Sequence, residues 1–126
     1  QAPRSGLLPA PGSMARYHTL EWVNFVATEL HKSFTPLFRP VTPENYKPVT
    51  KELIAGKFAL VDRRLADTPY LAGQDYSIAD IYCFVMLTWA KAMGIDLGGH
   101  AKLRAYSDRL AERPAVRDTL AAEGLA

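Results

Sequence analysis

The chain has 126 residues, enough for one domain with a proper core. With 48% of residues hydrophobic and 22% charged, its composition is that of an ordinary globular protein. The formal net charge is only +2, and the charges interleave, as in Asp62-Arg63-Arg64 and Asp108-Arg109. That leaves no basic stripe for nucleic acid and no polybasic block for a membrane surface.

No segment is long and apolar enough to span a bilayer. The N-terminal residues lack the charged-then-apolar pattern of a signal peptide. The single cysteine, Cys83, excludes an internal disulfide and supplies no zinc spacing, so no metal is expected. A reduced, cytoplasmic compartment is the simplest expectation.

Gln1 to Pro11 carries three prolines, Pro3, Pro9 and Pro11, and residues 1–12 read as a connector. The chain opens on Gln, which suggests the middle of a longer protein. Residues 13–126 read as one helical domain. Ser13 is placed to cap a first helix running to about Lys32. Its apolar face is Trp22, Val23, Val26 and Leu30, at the three- and four-residue steps of an amphipathic helix. Pro36 and Pro40 end or kink the next stretch of chain. Thr42-Pro43 and Pro48 compete to open the second helix. The start is placed near Pro48, with Thr42 to Lys47 as a turn, because proline inside a helix costs about 3 kcal/mol. Ile54, Phe58, Val61 and Leu65 form its stripe, and Asp67-Thr68-Pro69 stops it.

The strongest signal lies next, in Gly73-Gln74-Asp75-Tyr76-Ser77-Ile78-Ala79-Asp80. Ser77 and Asp80 have the spacing of a capping box, in which hydroxyl and carboxylate reciprocally satisfy two orphan N–H groups. Tyr76 and Ile81 are spaced as a hydrophobic staple. That spacing makes Asp80 a structural cap and not a catalytic acid. Ile81 to Leu87 then has no polar face, the mark of a buried helix. This third helix runs to about Met93, with Gly94 at its exit. Cys83 within it reads as a small core residue. After Gly98-Gly99, Leu103, Tyr106 and Leu110 mark a fourth helix ending before Pro114. Pro114 opens a short fifth that Gly124 closes. No strand pattern appears. The expected fold is all-α: about five unequal helices around a buried central one.

Opposite the apolar face of the first helix, Asn24, Thr28 and His31 fall at i, i+4 and i+7, within about 60° of one another. Tyr17 and Glu21 extend the strip. From periodicity a solvated helix face is the favoured reading, yet its mostly uncharged groups also suit a small polar ligand bearing carboxylates and amides. Trp22, Phe25, Phe34, Phe38 and Trp89 are candidates for lining an apolar pocket. Core packing is the ordinary fate of such aromatics, so Phe34 and Phe38, in the irregular stretch, are the pocket candidates retained. His18 and His100 have no neighbours at metal spacing and read as surface residues.

The pattern G-x-x-x-S-x-A-D before an apolar helix resembles the second domain of the glutathione S-transferase superfamily. The stretch from Glu21 to Lys32 is very like the first helix of that domain in the bacterial beta class. Phe34 to Pro40 and Ala111 to Val116 continue the likeness, which covers about Pro9 to Leu125. The resemblance implies that Asn24 and His31, with Thr28 between them, border bound glutathione, and that Lys32 follows the histidine as in relatives. His31 is then the catalytic candidate, since an imidazole can donate to a thiolate and stabilise the attacking anion. Lys32 adds positive potential that lowers the thiol pKa. The same resemblance implies glutathione as co-substrate, an electrophilic second substrate and a preceding thioredoxin-like domain. It also implies a homodimer with these first helices at its centre. Relatives of the same fold that act as non-catalytic interaction modules supply the alternative reading, which the polar strip disfavours.

Overall fold

The computed structural model describes residues 6–124. The first five residues of the expected connector, and the last two of the helical domain, lie outside them. The described residues are helical, with no strand. The five long helices are α1 (Met14–Phe25), α3 (Lys47–Leu65), α4 (Ile78–Ala92), α5 (Ala101–Ala111) and α6 (Pro114–Ala122). A short α2 (Thr35–Phe38) lies in the stretch that the prolines were expected to break.

Ser13 opens α1 as expected, its Oγ accepting the Arg16 N–H at 3.2 Å. The regular helix does not reach Lys32. It widens into a π turn over Val26–His31, then tightens into a 3-10 turn over Lys32–Phe34. Two side chains bond back to the ladder within this stretch. Thr28 Oγ1 donates to the Asn24 carbonyl at 2.9 Å, and Ser33 Oγ to the Glu29 carbonyl at 2.5 Å. Hydroxyls bonding back four residues compete with the helical ladder and bend it. Val26, Leu30 and Phe34 stay fully buried through the disturbance.

Pro48 sits in the first turn of α3, where the missing N–H costs nothing. A 3-10 turn, Glu44–Tyr46, leads into it. Ile54, Phe58, Val61 and Leu65 are buried as the stripe required. Gly94 and Gly124 have φ of 72° and 73°, the left-handed conformation that ends a helix. Asp62, on α3, caps α5 from outside, its Oδ1 accepting the Leu103 N–H at 2.8 Å.

The centre belongs to α4, which packs on α1 and the π turn, while α3 packs on the π turn and α5. Ala79, Cys83, Met86, Leu87 and Ala90 are buried. One face departs from the expected all-round burial: Ile81 and Val85 are 39% and 40% exposed, beside α6.

The capping box is complete. Ser77 Oγ accepts the Ala79 N–H at 3.2 Å, and Asp80 Oδ2 accepts the Ser77 N–H at 2.9 Å. Asp80 reaches further than a cap. Its Oδ1 accepts the Leu71 N–H at 3.0 Å and the Tyr106 hydroxyl at 2.6 Å, joining the loop before α4 to α5. Ser77→Ala is expected to destabilise by ~1 kcal/mol, at most ~2. Urea melts of the two proteins check this; equal midpoints would mean that the serine does not open α4.

Candidate functional site

The strip on the first helix is solvent-facing, but it is not the even row that regular periodicity predicts. Asn24, Thr28, His31 and Lys32 are all exposed. Asn24 lies in the last turn of α1, whereas Thr28 and His31 lie on the π turn and Lys32 opens the 3-10 turn. Each residue of a π turn advances around the axis by less than in an α-helix, so the strip is twisted along its length. Thr28 spends its hydroxyl hydrogen on the Asn24 carbonyl, which leaves its oxygen as an acceptor. Glu29, between them, is tied to Lys57 of α3 at 2.5 Å. That hydrogen bond and the ammonium charge hold the Glu29 carboxyl below its ordinary range.

His31 is the best-anchored residue of the strip. Its Nδ1 is hydrogen-bonded to the Tyr82 hydroxyl of α4. The imidazole also meets the Tyr82 ring edge-to-face, centroids 5.6 Å apart, and the Trp89 ring at 5.1 Å. Trp89 continues into an aromatic cluster, 5.5 Å from Phe34 and 5.2 Å from Phe38. Of the two pocket candidates, Phe34 is fully buried and belongs to the core, while Phe38 is half exposed. Sequence pattern absorbs Tyr82 into the apolar run and misses this role. A signal is present all the same, because a tyrosine hydroxyl near the core needs a partner.

Three concavities surround this region. Lys32 lies at the rim of a hollow of about 450 Å³ with Arg39, Thr35, Thr42 and Tyr46, so two cations share one wall. Trp22 and Phe25, edge-to-face at 5.2 Å, line a cleft of about 400 Å³ with His18, Glu21 and Arg64. His18 pairs there with Glu21 at 3.7 Å, and His100 approaches Asp62 at 4.0 Å. The third is an apolar groove of about 420 Å³ between α4 and α6, walled by Ile81, Phe84, Val85, Trp89, Val116 and Leu120.

Neither buried titratable group of α4 is a candidate for chemistry. Burial pushes the Cys83 thiol far up and keeps it protonated and inert. Asp80 spends both oxygens on internal donors. Among the described residues, no cluster of three or more His, Cys, Asp or Glu is arranged to hold a metal, and no helix is long and apolar enough to cross a membrane.

A helical bundle opened by this capping box, with a polar strip on its first helix, defines a class. The family model for the glutathione S-transferase C-terminal domain matches residues 25–114, and the chain belongs to that family. A glutathione S-transferase, GstA, of Escherichia coli O157:H7 is 48% identical over 123 residues, 98% of this chain. The chain spans 61% of that relative's length. A sphingomonad glutathione S-transferase solved with glutathione is 44% identical, with a TM-score of 0.90 over 98% of this chain and 62% of its own. The beta-class enzyme of Sphingomonas chungbukensis, 38% identical, superposes with a TM-score of 0.92 over all of this chain and 63% of its own.

Proposed function

We propose that this chain is the helical part of a glutathione transferase joining the glutathione thiolate to electrophilic, mostly apolar compounds. The observation that carries the reading is the state of His31. It is an exposed imidazole fixed by a hydroxyl and two aromatic rings at the end of a polar strip. A merely solvated face has no need to hold a histidine so firmly. Asn24 and Thr28 offer an amide and a hydroxyl to the peptide part of glutathione, and Lys32 offers charge near the sulfur. The likeness to a glutathione-bound relative supports the assignment.

In this reading a thioredoxin-like domain completes the site and lies against the apolar groove between α4 and α6. Two protomers pair through α1 and α3. Val49 and Leu53, on α3, are each more than half exposed, and Tyr17 and Leu20 of α1 also face solvent. Apolar side chains so placed suit a symmetric interface. A lone, buried, protonated cysteine accords with the reducing cytoplasm.

The test is conjugation of glutathione to a chlorodinitrobenzene-type electrophile by the full-length protein, with sedimentation of the same preparation. Turnover by a dimer is expected. Failure to turn over any electrophile, with glutathione unbound, would return the strip to a solvated face. A clean monomer would remove the proposed pairing.

A further inference from the structure

Nothing in a sequence motif assigns a role to Tyr82, yet the geometry points to one. Its hydroxyl meets His31 Nδ1 from a helix 51 residues away. The two rings that grip the imidazole, Tyr82 and Trp89, both project from α4, two turns apart. They stand at 88° and 82° to it, so the orientation of the ring is fixed as well as its position. Tyr82 is half-buried beneath an exposed His31.

The partner on Nδ1 decides which nitrogen carries the proton, because a neutral imidazole has one donor and one acceptor. A phenol is a strong donor and a poor acceptor, whereas an unprotonated imidazole nitrogen accepts well. The tyrosine hydrogen therefore points at Nδ1, and the ring hydrogen resides on Nε2. We propose that Tyr82 is a positioning residue that holds His31 as the Nε2–H tautomer, so that Nε2 is always the donor toward the ligand sulfur. This rests on the reading of His31 as the group facing the thiol. With Nδ1 already occupied, the imidazole neither rotates nor changes tautomer between turnovers. Its N–H is aimed at the anion before the anion forms, which is where preorganised donors are most effective.

The test uses the full-length protein with its histidines labelled with nitrogen-15 in the ring, at about pH 8, where an ordinary imidazole is neutral. His31→Gln identifies the His31 signals by their loss. In the wild type, Nδ1 is expected to resonate as a bare nitrogen and Nε2 as a protonated one. Tyr82→Phe keeps the aromatic packing, and the two shifts should draw closer together as the Nδ1–H tautomer gains population. The same variant should lower kcat by about threefold to tenfold, the worth of one hydrogen bond, with the Michaelis constant for glutathione little changed. In the His31→Ala background it should lower kcat no further, which a purely structural tyrosine would not satisfy. A proton on Nδ1 in the wild type, or His31 shifts unmoved by Tyr82→Phe, overturns the pairing itself. Full activity in His31→Ala, which has no donor to offer the sulfur, overturns instead the thiol role on which the proposal rests, and the spectra tell the two failures apart.

Discussion

Replacing Asp80 with alanine is expected to destabilise the domain by ~3–5 kcal/mol, the largest effect of any single substitution considered. The carboxylate is fully buried and serves three close donors, the backbone N–H groups of Leu71 and Ser77 and the hydroxyl of Tyr106, beside a long contact of 3.5 Å from the Ser77 hydroxyl. Alanine strands all three. Each buried donor without a partner costs about 1–3 kcal/mol, and partial relaxation trims the sum. Against a typical total of about 5–15 kcal/mol, such a loss leaves a barely folded protein. Asp80→Asn keeps one good acceptor but turns an NH₂ toward a donor, so roughly half the loss is expected. Urea melts of the three proteins decide it, and a loss below about 1 kcal/mol in Asp80→Ala would show that water replaces the carboxylate.

The same pair of proteins carries a pH signature. Burial raises the Asp80 carboxyl above its ordinary value of 3.8, against the opposing hydrogen bonds from Tyr106, Leu71 and Ser77. A group whose pKa is raised on folding contributes stability that is full below the unfolded value and lost as pH rises through the folded one. The advantage of the wild type over Asp80→Asn, which does not titrate, should therefore shrink as pH rises from below the ordinary carboxylate value through the raised one. A growing advantage would mean that the three donors outweigh burial.

Sequence patterns carried the fold wherever local chemistry and burial agreed. Ser13, Ser77 and Asp80 announced helix starts, Gly94 and Gly124 the ends, and Ile54, Phe58, Val61 and Leu65 the buried stripe, because each rule involves neighbours within one or two turns. What stayed hidden depends on partners distant in sequence. The link from Asp80 to Tyr106 spans 26 residues, and the cap that Asp62 places on Leu103 spans 41. Neither leaves a local mark. The π turn was lost for a different reason. Thr28 and Ser33 fit an α-helix by pattern, and the same back-bond from Thr19 leaves α1 regular, so no local mark shows where the ladder widens. At the candidate site, family likeness singled out Asn24, Thr28, His31 and Lys32 for testing, but no sequence pattern pointed to the grip of Tyr82 and Trp89 on His31. Periodicity says which face of α4 turns inward, not which ring of the first helix it will meet.

That division between a legible strip and a hidden grip shapes the expected behaviour of the two central residues of the strip. On the proposed reading, His31→Ala in the full-length protein should lower kcat for conjugation by about tenfold to 150-fold, the range for a hydrogen bond to a charged group. Glutathione binding should change little, because the imidazole matters most to the sulfur anion that develops toward the transition state. Asn24→Ala should act the other way. On the proposed reading its exposed amide contributes equally to bound glutathione and to the transition state, so its loss should raise the Michaelis constant by about threefold to tenfold with kcat preserved. The 126-residue chain by itself should bind glutathione weakly or not at all. Side-chain hydrogen bonds from one helix are worth about 0.5–1.5 kcal/mol each. Two or three cannot offset the loss of freedom of a flexible tripeptide. Steady-state kinetics of the two variants and titration calorimetry of the chain test the argument from both sides. Micromolar binding by the chain alone would place the main anchor of glutathione on the helical bundle, and unchanged kinetics in both variants would leave Asn24 and His31 as ordinary residues of a solvated face.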